Sequence, residues 1–150
     1  MNNDIYELMI FTFVIIIMSV WVYEDIKYRE ISSWQSMIVL AAMILRSVFG
    51  YEEAGSYVVL KLLIGLALFA GLLMISFLTK NGIGYADIIL TMIMYFYLDT
   101  VGFVTAETIA VMLSFISVIV IFLAGKMNKK TSLPFIPYLY LGFALGGMMR

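Results

Sequence analysis

The chain reads as an all-α integral membrane protein, a single bundle of about six transmembrane helices with both termini outside the cytoplasm. Three observations predict it. Of the 150 residues, 64% are hydrophobic and only 13% charged, and the mean hydropathy of +1.06 far exceeds what a soluble domain of this size needs to fill a core. The charges gather into short clusters that separate six charge-free runs. When the ends of those runs are assigned alternately to two sides, the basic residues fall mostly on one of them, which marks the cytoplasmic side.

The runs are Leu8 to Tyr23, Ile31 to Leu45, Leu62 to Thr79, Ile88 to Leu98, Thr108 to Gly125 and Thr131 to Met149. A helix needs about 20 apolar residues to cross a bilayer, or about 17 at the short end. The first, second and fourth runs must therefore draw flanking residues to membrane depth or into the headgroups. The fourth is the shortest, and its 11 charge-free residues would rise only about 16 Å as a helix. It must begin before Asp87, continue past Asp99 through Val101, Gly102 and Phe103, or do both. The acidic start from Met1 to Glu7, with no small-residue cleavage site before Trp21, predicts that the first run is retained as a span. With no repeat, low-complexity tract or long linker, residues 1–150 are read as one domain.

On this topology the inner side receives Lys27, Arg29, Lys80, Lys126, Lys129 and Lys130, and the outer side Arg46, Lys61 and Arg150. The outer side collects Asp4, Glu7, Glu52, Glu53, Asp99 and Glu107, while Glu24, Asp25, Glu30 and Asp87 lie inside. The inner side also carries the chemistry. Asn81-Gly82-Ile83-Gly84-Tyr85-Ala86-Asp87 places two glycines and a carboxylate at the mouth of the apolar run that continues Ile88-Ile89-Leu90. A carboxylate at membrane depth is costly, and the default reading is a functional site with a partner. The candidate partner is Asp25. Both prolines, Pro134 and Pro137, stand in a third inner segment before the last span, where irregular backbone is tolerated only under a cover of protein or in a wet cavity.

Each carboxylate also has a structural reading. Asp87 before an apolar run is what a helix N-cap looks like, with Gly82 and Gly84 closing the preceding turn. Asp25 could end the first span in the headgroups. Glu24 and Asp25 point about 100° apart on a helix, so both cannot face one centre, and Glu24 and Glu30 are read as solvated.

The chain has neither cysteine nor histidine, which removes thiolate nucleophiles, imidazole bases and the usual zinc ligand sets. No basic block of the kind that binds nucleic acid is present. Two carboxylates that share a proton can still work as an acid–base pair: the ionised one takes a proton from water, and the protonated one polarises or protonates the amide under attack. That is aspartyl-type peptide hydrolysis, with no metal and no cofactor. Glycines beside the second carboxylate would let an extended substrate backbone approach it.

Three blocks resemble the type IV prepilin peptidases, membrane aspartyl proteases of the GxGD type. Asp25-Ile26-Lys27-Tyr28-Arg29-Glu30-Ile31-Ser32-Ser33-Trp34 is similar to the family's first-aspartate block, although Ser32 and Ser33 stand where Pro-Asn is usual. Gly84-Tyr85-Ala86-Asp87 resembles the GxGD block, with Ala86 in place of the second glycine. Leu133-Pro134-Phe135-Ile136-Pro137 resembles the Pro-Phe-Gly-Pro block, with Ile136 in place of its glycine. The blocks agree in order, spacing and side, so the resemblance covers nearly the whole chain.

The resemblance implies an endopeptidase of the plasma or inner membrane that cuts basic leader peptides from prepilin-like or pseudopilin substrates at the cytoplasmic face, in a pathway of pili, secretion or DNA uptake. Asp25 and Asp87 would be catalytic, and Gly82, Gly84, Tyr85, Ala86, Pro134, Pro137 and Glu30 would shape the site or meet substrate. The short first inner loop and absent cysteines imply a form without the N-methyltransferase activity of larger members. Besides substrate, the expected partner is the lipid bilayer and not nucleic acid. Two alternatives stand beside this reading. One is a small transporter or channel subunit with a carboxylate proton relay. The other is a GxGD protease of the presenilin or signal-peptide-peptidase kind, which carries a Pro-Ala-Leu block and more spans, neither found here.

Overall fold

The structure, a computed structural model, describes residues 3–28, 31, 33–49, 55–79, 83–125 and 134–148. Among them it is all-helical, with six helices and no strand: α1 (Asn3–Tyr28), α2 (Ser33–Phe49), α3 (Gly55–Leu78), α4 (Tyr85–Tyr97), α5 (Thr100–Leu123) and α6 (Ile136–Met148). Three of them, α1, α3 and α5, are long and apolar enough to cross a membrane, and most of their surface is not buried inside the protein. The other three are shorter apolar helices of 17, 13 and 13 residues, so each falls short of the ~20 residues of a perpendicular span.

The boundaries correct several expectations. The fourth run does begin early, at Tyr85, but it stops at Tyr97, and Val101, Gly102 and Phe103 belong to α5. The chain breaks at Leu98 and Asp99 because Leu98 adopts an extended conformation (φ −80°, ψ 158°), which cannot continue a helix. As a result α5 starts eight residues before Thr108 and Glu107 lies two turns inside it, half-buried. Likewise α3 starts at Gly55, which draws Lys61 into the helix and out of the loop where its charge suggested it lay.

The helices form two compact units, residues 32–101 and residues 1–31 with 102–150. In the first, α4 packs against both α2 and α3. Eight of its 13 residues are buried, from Ile88 to Tyr97, as expected of a helix that is apolar all round. From α2 it receives a stripe of Ser36, Val39, Met43 and Ser47, spaced to lie on one helical face. On α3, Gly65 admits the rings of Phe96 and Tyr95, and a Cβ there would stand 2.8 Å from Phe96 Cζ.

In the second unit α1 packs against α6, with the Phe11 and Phe143 rings 5.5 Å apart. A seam of small residues lets α5 and α6 approach each other, a packing mode that suits apolar helices. Gly102, Ala106 and Ala110 of α5 are buried, and a Cβ on Gly142 or Gly146 of α6 would fall on the Ala106 or Gly102 carbonyl.

Candidate active site

Asp87 stands in the first turn of α4. Gly84 is the N-cap, with extended φ −66° and ψ 143°, and the first helical hydrogen bond runs from the Ile88 N–H to the Gly84 carbonyl at 3.2 Å. The capping position that the sequence allowed for Asp87 therefore belongs to Gly84, and Asp87 is the third helical residue. From that position an acidic side chain turns back toward the N-cap, and Asp87 does so. A Cβ on Gly84 would lie 3.0 Å from Asp87 Oδ2 and 3.7 Å from its Cγ. The backbone at Gly84 would accept any residue; a Cβ there would be tight against the Asp87 carboxylate, which would have to give by a few tenths of an ångström. The partial positive charge of a helix N-terminus favours an anion at this point.

The approach to this turn is fixed from α3. The buried Ser76 hydroxyl donates to the Ile83 carbonyl at 2.7 Å, and the Thr79 hydroxyl donates to Ile75 at 2.7 Å as α3 ends. An open groove of about 640 Å³ runs between Leu73, Ser76 and Phe77 on one side and Ile83, Gly84, Tyr85 and Ile88 on the other. Tyr85 is exposed, and Ala86 and Asp87 are half-buried. Sequence reading missed Ser76, whose only signal is a hydroxyl in an otherwise apolar run.

Asp25 lies in the other unit, in the last turn of α1. The buried face of that helix reads Val14, Met18, Trp21 and Asp25, one stripe at helical spacing with a carboxylate closing it. Asp25 is 9% exposed and its Oδ2 is enclosed. Glu24, expected to be solvated, is half-buried with Oε2 enclosed and without a hydrogen-bond partner among the described residues. It stands about 60° around the helix from Trp21, at the margin of the buried stripe. The Trp21 Nε1 is likewise buried and without a partner among the described residues. Lys27 turns to its own helix: its ammonium donates to the Tyr23 hydroxyl at 2.8 Å and lies 5.2 and 5.0 Å from the Tyr23 and Tyr28 ring centres.

Pro134 and Phe135 are non-helical, and Pro137 sits in the first turn of α6, where no hydrogen bond is lost to proline. The Tyr138 and Leu139 N–H groups return to the Phe135 carbonyl at 3.0 and 3.2 Å. Gly82 and Glu30 lie outside the described residues. Among the described residues no three acidic side chains gather into a metal-ligand group.

The far end of α4 holds a cluster that sequence reading did not find. Lys61 is 8% exposed, and its ammonium donates to the Phe96 carbonyl at 3.4 Å. Ser47 donates to the same carbonyl at 3.3 Å, and the Tyr95 hydroxyl donates back to the Lys61 carbonyl at 3.0 Å. The Arg46 guanidinium stacks 4.8 Å from the Tyr97 ring centre. Two cations thus meet the negative end of the α4 dipole.

No protein-family model, curated protein or solved structure matches the chain. The fold itself defines a class: among the described residues it is all-helical, with three helices long and apolar enough to cross a membrane.

Proposed function

We propose that this protein is a membrane aspartic endopeptidase that removes the basic leader of type IV prepilin-like or pseudopilin substrates at the cytoplasmic face, with all six helices membrane-embedded. Asp25 and Asp87 are its acid–base pair. One carboxylate takes a proton from water as its oxygen adds to the scissile carbonyl carbon. The other protonates the amide nitrogen as the C–N bond breaks. Neither a metal nor a methyl donor takes part.

The observation that carries the reading is the Asp87 carboxylate, folded back over Gly84 in the first turn of a buried apolar helix. This arrangement gives the Gly84-Tyr85-Ala86-Asp87 block, the part of the sequence most like a GxGD motif, a physical reason for its glycine. The buried Asp25 at the end of an otherwise apolar stripe supplies the second carboxylate.

The test is cleavage of a prepilin-like peptide, with a basic leader before an apolar helix, by protein in lipid vesicles. Asp25→Asn and Asp87→Asn each lower the rate by at least about 100-fold, and the double variant is little worse than either single because the pair acts as a unit. Thermal unfolding of both stays near wild type. A folded single variant that cleaves at the parent rate would sink the assignment. Orientation is tested separately with single cysteines at positions 82 and 53: in intact cells an impermeant thiol reagent labels position 53 and not position 82, and the reverse pattern places the site on the wrong side.

A further inference from the structure

Trp21 and Glu24 are drawn together by one peculiarity. The indole ring of Trp21 is fully buried, its Nε1 donor has no hydrogen-bond partner among the described residues, and the enclosed Oε2 acceptor of Glu24 has none either. A buried polar atom left unpaired is expensive. Here a donor and an acceptor stand one turn apart on α1, and Asp25, four residues from Trp21, flanks the indole on the side away from Glu24. The three side chains fall within about 100° of helical arc. An enclosed donor and an enclosed acceptor, neither with a protein partner among the described residues, are the kind of polar groups that an internal water satisfies.

We propose that Trp21 and Glu24 hold one water molecule on the buried side of α1, and that, if the protein is the hydrolase proposed above, this water supplies the one consumed at Asp25. Trp21 N–H donates to the water, and the water donates one hydrogen to Glu24 Oε2. One hydrogen and one lone pair of the water are then left to turn toward Asp25. Hydrolysis uses one water per peptide bond, and Asp25 stands one turn from Trp21 on the same helix. Trp21 is thus a positioning residue that acts through the water, and Glu24 is its counterpart.

The site is tested first without reference to activity. The chain has two tryptophans, and the second, Trp34, is 74% exposed, so Trp34→Phe leaves Trp21 as the sole indole. Ultraviolet resonance Raman spectra of that variant in lipid vesicles show the indole N–H in its hydrogen-bonded position, and adding Glu24→Leu moves the band to the unbonded position. An unbonded band in the first protein, or an unmoved band in the second, overturns the water site. The supply role is read from kinetics with the prepilin-like peptide: Trp21→Phe, which keeps the ring and removes the donor, lowers kcat about five- to tenfold with KM little changed. A parent-like kcat in folded Trp21→Phe overturns that role. If the parent itself cleaves no such peptide, the functional reading falls, while the two spectra still decide the water site.

Discussion

The two ends of α4 are built on opposite principles. At its C-terminal end the polar groups hold one another in place, with Ser47 and Lys61 donating to the Phe96 carbonyl, Tyr95 donating back to Lys61, and Arg46 covering Tyr97. Cations there offset the helix dipole and occupy a carbonyl that the helix leaves without an internal partner. At the N-terminal end the Asp87 carboxylate is tucked over a glycine beside an open groove, and the Ser76 hydroxyl of α3 donates to the Ile83 carbonyl just before the helix. A helix held firmly at one end can present a reactive group at the other without the group having to stabilise the fold. Function is expected at the end with space, and stability at the end without it.

Substitutions at the two ends should therefore separate activity from stability. The largest contrast is between Asp87→Asn and Lys61→Met. The first should abolish cleavage and cost no more than ~1 kcal/mol, since asparagine keeps the size and hydrogen-bonding oxygen of the side chain and serves nearly as well at a helix N-terminus. The second removes a buried charge from the Phe96 carbonyl while keeping the apolar stem, and should cost about 1–3 kcal/mol while the folded fraction cleaves at the parent rate. Denaturant unfolding and single-turnover cleavage on the same preparations measure both. Equal effects on the two readouts would erase the distinction between the ends.

Gly84→Ala should come next. Its Cβ would press the Asp87 carboxylate at 3.0 Å, so the carboxylate must move by a few tenths of an ångström. Such a displacement should slow cleavage about tenfold, with a stability change within ~1 kcal/mol because alanine suits the backbone there. A parent-like rate would mean that the fold of Asp87 over Gly84 is irrelevant to chemistry. Ser76→Ala should be the mildest, costing about 1 kcal/mol from the lost bond to Ile83 and a few-fold in rate. Hydrogen exchange at residues 83 to 88 should rise with it, and unchanged exchange would remove Ser76 from the support of this turn.

Much of this was legible along the chain. The helical class follows from composition, because apolar runs of this length with so few charges have no other way to satisfy their backbone in a membrane. Length required the fourth run to extend at one end or both; the structure extends it only at its start, to Tyr85, and leaves it at 13 residues. The Gly84 to Asp87 block and Asp25 stood out as carboxylates in apolar surroundings. Helix ends were less legible. A charge marks where a run stops being apolar, not where hydrogen bonding stops, and so Lys61 and Glu107 were placed outside helices that in fact contain them.

What the sequence determined by itself is local: a helical class and the residues able to carry acid–base chemistry, with glycines at 82 and 84 beside the second carboxylate. What only the tertiary structure decided is which atoms are enclosed. Glu24 and Trp21 are unremarkable in sequence, and packing alone leaves their polar atoms buried. Lys61 reads as a loop charge until α4 brings the Phe96 carbonyl to it. Burial depends on neighbours distant in sequence, Phe96 from Lys61 and Ile83 from Ser76 among them, and no periodicity within one helix carries that information.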